Sequence, residues 1–351
     1  MLEKIKKMLK LQDRLLLREL QNNFPFSGRP YLEIGKRLRL SEEEVIERIK
    51  VLKKKKIIRY IGAIFDTKKL GLASSLIAMS VPCARIKKVS NIINSYPQVS
   101  HNYLRNNKFN LWFTLSAASK RELLKLIHRI KKRTRIGEAL NLATRKVFKI
   151  DARFGLIPSA EIRRLKLEDE WLGGDIPASG RQPLALRPEG GCTKKMKTDR
   201  KFILELNKPL PISQRPFKSV AKRLGCSAEK VLSVLRDYKK KGLLRRFGTI
   251  LSHKNIGLKT NALVAWMVPE KKINSVAKVL VAYPQITHCY LRSTYSFWPY
   301  NLYSMAHTAD KKTCHRLILA IARKTKIKDF KVLFTLKEFK KTKSNLGGLL
   351  R

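Results

Sequence analysis

The chain contains two copies of one unit, and this duplication limits the folds open to it more than any other feature. Residues 31–62, YLEIGKRLRLSEEEVIERIKVLKKKKIIRYIG, align without a gap with residues 217–248, FKSVAKRLGCSAEKVLSVLRDYKKKGLLRRFG, and about a third of the paired positions are identical. Further along, HNYLR at 101–105 aligns with HCYLR at 288–292. Because the matches stay in register over such a distance, they predict two equivalent halves of roughly 140 residues each.

Each copy opens with a pattern typical of a winged helix-turn-helix domain. Two short amphipathic segments are separated by a tight turn, and a serine, Ser41 or Ser227, stands where the N-cap of the second helix is expected. Glu44 completes a capping box with Ser41. We therefore predict helix-turn-helix domains over 1–62 and 198–248.

The remainder of each copy alternates between strand-like and helix-like patterns. In the first copy the predicted elements are, in order, a strand, a helix, a hairpin of two strands, a helix and a strand: Ala73–Val81, Ala84–Ser95, Val99–Arg105, Phe109–Leu115, Lys120–Arg133 and Ala139–Ile150. This βαββαβ order is that of a ferredoxin-like domain, which we predict over 63–152 and again over 249–343. The predicted fold class is α+β, a tandem duplication of a winged helix-turn-helix domain followed by a ferredoxin-like βαββαβ domain.

The segment between the copies, 153–197, is rich in proline and glycine and predicts a linker, with a short helix around Ala160–Trp171. The first twenty residues predict an amphipathic helix rather than a signal peptide. The longest apolar run is too short to span a bilayer.

The net charge of +51, from 77 basic and 26 acidic residues, favours a polyanionic partner. Nucleic acid, an anionic membrane and a ligand with several carboxylates or phosphates all fit. A solvated, lysine-rich surface is the alternative, because the lysines are spread along the whole chain. The five scattered cysteines lack a CxxC spacing, which argues against a disulfide framework or a zinc site and favours reduced thiols in the cytoplasm.

The repeated motif His-x-Tyr-x-Arg places three polar side chains on one face of a strand, because strand side chains alternate. Helices cover one face of a ferredoxin-like sheet, so this triplet is predicted on the open face. Two such open faces in one chain can pack on each other, and the natural place for a ligand is between the sheets or where one sheet meets the other copy's loops. A satisfied interface network is the alternative. The motif residues are His288, Tyr290 and Arg292 in the second copy, and His101, Tyr103 and Arg105 in the first. The residues that alternate on the return strands are Asn301, Tyr303, Met305 and His307 in the second copy, and Asn110, Trp112 and Thr114 in the first.

The second hairpin is longer than the first. Nine positions separate Arg292 from Asn301, against five in the first copy, and the added tip carries Tyr295, Trp298 and Pro299. Hairpin tips are usually short and polar. An aromatic tip therefore predicts either a lid over a large flat ligand or a plug that packs on the neighbouring domain.

The motifs SHNYLRNNKFNLWFTL and THCYLRSTYSFWPYNLYSMAHT resemble the two different subunits of the siroheme decarboxylase family, which is built on the Lrp/AsnC architecture. WPYNLYSMAH is the most specific part, and the resemblance covers nearly the whole chain except the linker and the first residues. It implies a natural fusion of the two subunits, in which the halves form an internal pseudo-dimer. Whether the chain pairs again as a homodimer stays open.

The resemblance implies a carboxy-lyase that removes the carboxyl groups of the C12 and C18 acetate side chains of siroheme. The product is 12,18-didecarboxysiroheme, on the alternative haem and haem d1 pathways, in the cytoplasm. No added cofactor is implied, because the substrate carries its own iron.

The resemblance and the chemistry of siroheme together suggest roles for the candidate residues. Arg292 would grip a carboxylate, and His288 and His307 would serve as proton donor or as axial ligand to the substrate iron, with Tyr290 completing the catalytic set. We place the main site in the second copy, because the first lacks a counterpart of Trp298. The substrate-binding candidates are Tyr295, Trp298, Tyr303, Asn301, His101, Arg105, Tyr103, Trp112, Arg245, Arg246 and His253.

Two alternatives remain at this level. One is a DNA-binding regulator with recognition helices Glu42–Lys56 and Ala228–Lys241, although the glutamates of the first would repel phosphate. The other is a haem- or siroheme-binding sensor without turnover.

Overall fold

The computed structural model describes residue 5, residues 9–157, residue 161, residues 200–343 and residues 345–350. The chain divides into two compact units, Met1–Asp66 with Ala152–Lys259, and Thr67–Asp151 with Thr260–Arg351. Each unit thus collects segments of both copies, so this division does not test the boundaries predicted within each copy, which stay predictions. Of the predicted linker and its helix, only 153–157 and 161 lie within the described residues.

The first unit holds both helix-turn-helix segments. Ser41 caps its helix as predicted: its hydroxyl accepts from the backbone N–H of Glu44 at 3.1 Å, and the Glu44 carboxylate accepts from the backbone N–H of Ser41 at 2.8 Å. Ser227 accepts from the backbone N–H of Lys230 at 3.2 Å in the second copy. The helices described in this unit are Leu11–Asn22, Pro30–Leu38, Glu42–Lys54, Arg200–Leu206, Pro216–Leu224 and Ala228–Lys240, with a 3-10 turn at Lys254–Ile256.

The strand that follows each helix-turn-helix pairs with its counterpart from the other copy. β1, Ile58–Phe65, runs antiparallel to β6, Leu244–Leu251, with Gly62 opposite Gly248. Gly248 has a φ of 151°, and a Cβ there would overlap the carbonyl oxygen of Leu20 in the first helix. Only glycine permits this close approach of helix and strand.

The second unit holds both βαββαβ segments, in the predicted element order. Its strands are β2 Ala73–Met79, β3 Val99–Arg105, β4 Leu111–Ala117, β5 Ala139–Ile150, β7 Thr260–Trp266, β8 Ile286–Arg292, β9 Leu302–Thr308 and β10 Phe330–Lys341. Its helices are Ile86–Asn94, Lys120–Thr134, Ile273–Ala282, Lys311–Thr325 and the terminal Leu346–Leu349, with 3-10 turns at Cys83–Arg85 and Glu270–Lys272.

The two sheets of the second unit join edge to edge in one closed barrel. Within each copy the strand order, β3-β4-β2-β5 and β8-β9-β7-β10, is that of a ferredoxin-like sheet. β5 and β10 have 12 residues each, whereas the other strands of the barrel have seven. β5 pairs with β2 through its first part and with β8 of the other copy through its second; β10 does the same with β7 and β3. The inner faces of the two sheets share one apolar cluster, and the exchange of long strands also closes the sheet edges.

Three apolar clusters stabilise this unit. One lies under the helices of each copy, including Phe113 and Leu115 in the first and Trp266 and Ala306 in the second. The third lies inside the barrel and draws on both copies: Ala78, Phe109, Trp112, Leu140, Leu142, Leu263, Ala265, Trp298, Tyr300, Tyr303 and Leu333. In the part of the chain that the structure describes, no helix has the length and apolar character needed to cross a membrane.

Candidate functional site

The two His-x-Tyr-x-Arg triplets lie on opposite walls of the barrel. Cys289 and Leu291 belong to the cluster under the helices, so the triplet of β8 faces the other way, as the alternation predicted. Every neighbouring strand pair is antiparallel, and β3 and β8 are four strands apart, so they run in the same direction. His101 and His288 therefore lie at one end of the barrel, and Arg105 and Arg292 lie toward the other.

The guanidinium of Arg292 is held by the first copy. Its Nη1 donates to the backbone oxygen of Leu142 at 2.9 Å and to Oγ1 of Thr144 at 3.0 Å, both on β5. The guanidinium carbon lies 4.7 Å from the ring centroid of Tyr290 and 5.9 Å from that of Tyr303. These contacts fix both the plane and the rotation of the group.

Arg105 has the same arrangement in the first copy, and there the second copy provides the acceptors. Its Nη1 donates to the backbone oxygen of Leu333 at 2.8 Å and to Oγ1 of Thr335 at 3.2 Å, both on β10. Its guanidinium carbon lies 5.3 Å from the ring centroid of Tyr103. The sequence motif therefore encodes the same local geometry twice.

Both arginines are buried cations without an acidic partner among the described residues. Arg105 is 4% exposed and Arg292 is 8% exposed, and the Nε of each is buried with no hydrogen-bond partner in the described structure. Burial lowers the pKa of Arg292, and it lowers that of Arg105 to about 10. An arginine guanidinium is not deprotonated in proteins at neutral pH, so both groups carry a positive charge. A buried guanidinium with an unsatisfied N–H is suited to an anionic ligand.

The histidines of the two triplets are also matched. Nδ1 of His288 lies 2.8 Å from the hydroxyl of Thr287, and Nδ1 of His101 lies 2.9 Å from that of Ser100. His288 stacks on Tyr290 with ring centroids 6.0 Å apart. In each copy this hydrogen bond engages Nδ1 of the imidazole.

His307 distinguishes the second copy. It is buried on β9 opposite Asn261 of β7, two residues after Met305, which pairs with His288. The corresponding pair in the first copy is Ser116 with Ser74, whose hydroxyls hydrogen-bond at 3.3 Å. The second copy therefore has an imidazole at a position where the first copy has a serine.

The long strands provide part of the wall beside each triplet, which the motif analysis missed. Val147 and Ile150 of β5 lie opposite Tyr290 and His288, and Val147 is 45% exposed. At the corresponding positions of β10, opposite Tyr103 and His101, are Glu338 and Lys341, whose charged groups lie 3.9 Å apart. The second-copy wall is thus apolar, whereas the first-copy wall carries an ion pair. The signal in the sequence was the unusual length of β5 and β10.

The long hairpin tip packs into the barrel. Trp298 is 6% exposed, its Nε1 donates to the hydroxyl of Tyr303 at 2.8 Å, and its ring lies 6.1 Å from that of Trp112. The hydroxyl of Tyr295 accepts from the backbone N–H of Asn141 at 2.9 Å. The plug interpretation therefore describes this structure, and Trp298 could reach a ligand only if the tip moved. Phe297, 62% exposed, is the aromatic residue that the tip leaves in solvent.

Several other candidates are engaged elsewhere. Asn301 clamps Val268 through both side-chain atoms, donating to its carbonyl at 2.7 Å and accepting from its N–H at 3.1 Å. Arg245 pairs with Asp66 at 2.9 Å. Arg245, Arg246 and His253 all belong to the first unit, whereas the triplets belong to the second.

In the part of the chain that the structure describes, no group of three or more His, Cys, Asp or Glu side chains is placed to hold a metal ion. His288 and His307 are candidates for a single axial contact to an iron that a ligand brings with it. Burial raises the pKa of Cys289 to about 12, so this thiol stays protonated and is not a nucleophile at neutral pH.

Comparison with known proteins identifies the family. The AsnC-like ligand binding domain matches residues 69–149 and 255–340, and the siroheme decarboxylase NirDL-like HTH domain matches 13–59 and 199–245, so each matches once in each copy. The siroheme decarboxylase of Hydrogenobacter thermophilus is 30% identical over 329 residues, which cover 93% of this chain and 92% of that protein. The chain belongs to the siroheme decarboxylase family.

Two further relatives bear on the duplication. The siroheme decarboxylase beta subunit of Methanosarcina barkeri is 38% identical over 146 residues, 42% of this chain and 96% of that subunit. The crystal structure of NirDL in co-complex with an iron-uroporphyrin III analogue is similar over 95% of this chain and 93% of that one, with a TM-score of 0.68 and 26% identity. The family resemblance and the duplicated architecture are both confirmed, and a separate subunit corresponds to about half of this chain.

Proposed function

We propose that this protein is a siroheme decarboxylase, a carboxy-lyase that removes the C12 and C18 acetate carboxyl groups of siroheme to give 12,18-didecarboxysiroheme. The observation that carries the proposal is Arg292, a buried cation without an acidic partner among the described residues, in a family whose members act on a polycarboxylate. A carboxylate of the substrate would supply the missing counter-charge. The free thiols Cys289 and Cys314 suit the reducing cytoplasm, where we place the enzyme.

The wall of the second copy suits a tetrapyrrole in size and character. Arg292 lies four positions after His288, so their Cα atoms are about 13 Å apart along the strand, which matches the width of a macrocycle with its side chains. Tyr290, Val147 and Ile150 offer aromatic and apolar surface between and beside them. A carboxylate held at the arginine end would place the ring against this surface, with the imidazoles at the far end.

The reaction needs little beyond positioning and a proton. Loss of CO2 leaves an electron pair on the methylene carbon beside the ring, and the macrocycle delocalises it. A proton added at that carbon gives the methyl group, so each acetate consumes one proton and releases one CO2. Arg292 would hold the carboxylate of one acetate away from water, and His288 or His307, at the other end of the surface, would deliver the proton to the other acetate or contact the substrate iron. We propose that no added cofactor is required.

One experiment tests the proposal. Purified protein is incubated with siroheme without oxygen, and the mass of the pigment is followed. We expect loss of two CO2 units. A pigment that binds tightly but keeps its mass would contradict decarboxylation and support the sensor instead.

The recognition helices of the first unit support a DNA-binding regulator less well than the barrel supports a decarboxylase. Base contacts in helix-turn-helix proteins come from the N-terminal part of the recognition helix. In Glu42–Lys54 this end carries Glu42, buried and bonded to Arg29, and Glu43, which accepts from Gln214 at 3.0 Å. An exposed Lys230 near the start of the second helix is the more favourable feature. A gel-shift assay at moderate salt would reveal sequence-selective DNA binding, which we expect to be absent.

A further inference from the structure

We propose that Thr144 is a positioning residue for the reaction: its hydroxyl, with the carbonyl of Leu142, turns Arg292 so that the Nε edge of the guanidinium faces the carboxylate of the substrate. This inference rests on the proposed decarboxylase function and assigns a role to a strand that belongs to the other copy.

The contacts of Arg292 determine which edge is available. Nη1 carries two hydrogens, and both are engaged, one by Leu142 O at 2.9 Å and one by Thr144 Oγ1 at 3.0 Å. Tyr290 and Tyr303, at 4.7 and 5.9 Å, set the plane of the group. Nε is buried and has no hydrogen-bond partner in the described structure. The Nε–Nη2 edge therefore remains for a carboxylate, which it can bind through two parallel hydrogen bonds.

Of the two acceptors, only the hydroxyl of Thr144 can be removed by substitution. Thr144 lies just past Ala143, the last residue of β5 that pairs with β2, and continues the strand along β8. It is exposed, and valine is as favourable as threonine in a strand, so loss of the hydroxyl should cost the fold little. Its loss would leave Nη1 with one acceptor and allow the guanidinium to rotate toward water.

The first copy offers a matched control. Thr335 accepts from Nη1 of Arg105 at 3.2 Å in the same arrangement, beside a wall that carries Glu338 and Lys341 in place of Val147 and Ile150. If the apolar wall marks the reacting site, removal of the Thr335 hydroxyl should leave turnover nearly unchanged.

The test compares Thr144→Val, Thr144→Ser and Thr335→Val in the full-length protein. Siroheme turnover without oxygen gives kcat and KM, and absorbance titration gives the affinities for siroheme and for the didecarboxylated product. We expect Thr144→Val to lower kcat/KM about ten-fold or more, as for loss of a hydrogen bond to a charged group. It should weaken siroheme binding but not product binding, because the product lacks the carboxylates that Arg292 would hold.

Thr144→Ser, which keeps the hydroxyl, should stay within about two-fold of the wild type, as should Thr335→Val. Wild-type behaviour of Thr144→Val, equal weakening for siroheme and product, or failure of serine to restore function would each overturn the proposal. If the wild-type protein binds siroheme without releasing CO2, the decarboxylase function fails, and the affinities of the valine and serine variants still decide the role of Thr144.

Discussion

At the scale of single residues, the unusual feature of the barrel is a pair of buried arginines, Arg292 and Arg105. A buried guanidinium without a counter-ion is costly to the folded protein. Each is tolerated because neutral acceptors, a backbone carbonyl and a threonine hydroxyl, and a tyrosine ring surround it. Such a group is pre-organised for an anion, because its side-chain freedom is already lost before the ligand arrives.

We expect Arg292→Ala to lower kcat/KM for siroheme by roughly 100-fold or more, because it removes the charge and both donors offered to the carboxylate. Arg292→Lys should restore little, since lysine cannot form the paired hydrogen bonds. Arg105→Ala is the matched control and should lose far less. Steady-state kinetics without oxygen measure all three, and equal losses at Arg292 and Arg105 would contradict a dominant second-copy site.

Tyr300 gives a pH-dependent prediction. Its hydroxyl donates to Asp329 at 3.0 Å, and burial together with this carboxylate raises the pKa of Tyr300 to about 12. The folded protein therefore keeps a proton that the unfolded chain releases near pH 10. The resulting stabilisation is complete below pH 10 and is lost as the pH rises through about 12. Tyr300→Phe should lower the free energy of unfolding by about 1 kcal/mol at neutral pH.

Urea unfolding of Tyr300→Phe and the wild type, from pH 8 upward, measures this difference. The gap between the two proteins should narrow above pH 10. A gap that stays constant up to the alkaline limit of folding would show that the Tyr300 hydroxyl is not linked to stability in this way.

At the scale of elements, the tip of the long hairpin between β8 and β9 packs into the apolar cluster that both copies form. Trp298 packs among Trp112, Phe109, Tyr300 and Tyr303, so the tip joins aromatic residues from both copies. The first copy has no equivalent tip. The two copies contribute strands to the barrel in the same order, but only the second copy has the enlarged hairpin.

Trp298→Ala should destabilise the protein by about 3 kcal/mol, because it leaves a large cavity in this cluster and frees the hydroxyl of Tyr303. Phe297→Ala, one residue away but 62% exposed, is the control and should change stability little. Chemical denaturation measures both. Comparable stability of the two variants would mean that the tip opens readily, which would revive the interpretation of Trp298 as a lid.

At the scale of the whole chain, neither copy alone can form the closed barrel of the second unit. The second parts of β5 and β10 find their partners only in the other copy, and the carbonyl and hydroxyl that hold each arginine come from these same segments. Folding of the barrel and assembly of the candidate site are thus one event.

Co-expressed fragments 1–157 and 200–351 should therefore associate and recover siroheme turnover, as the separate subunits of relatives suggest. Neither fragment alone should fold to a stable monomer, because each would expose an unpaired strand edge. Ending the first fragment at Ala143 is the control, since it removes every residue that pairs with β8. Size-exclusion chromatography and turnover report the outcome, and a stable, active single fragment would contradict this account.

Much of the fold could be predicted from local pattern. The capped helices, the βαββαβ order and the alternating faces of β3 and β8 follow from spacing over a few residues, and β3 and β5 have the predicted bounds. The chemistry of the triplets could also be predicted, because period-two alternation puts His288, Tyr290 and Arg292 on one face. Their individual catalytic roles stay predictions.

By itself, then, the sequence determined the duplication, the type of each element and the two triplets, because these depend on short-range periodicity repeated at a constant spacing. Only the tertiary structure decided that β5 and β10 cross to the other copy, that Thr144 and Val147 stand beside the second triplet, and that Trp298 is a plug. These depend on which strand edges meet. Edge pairing uses the backbone N–H and C=O groups that every residue except proline has, so no local pattern in the side chains specifies it.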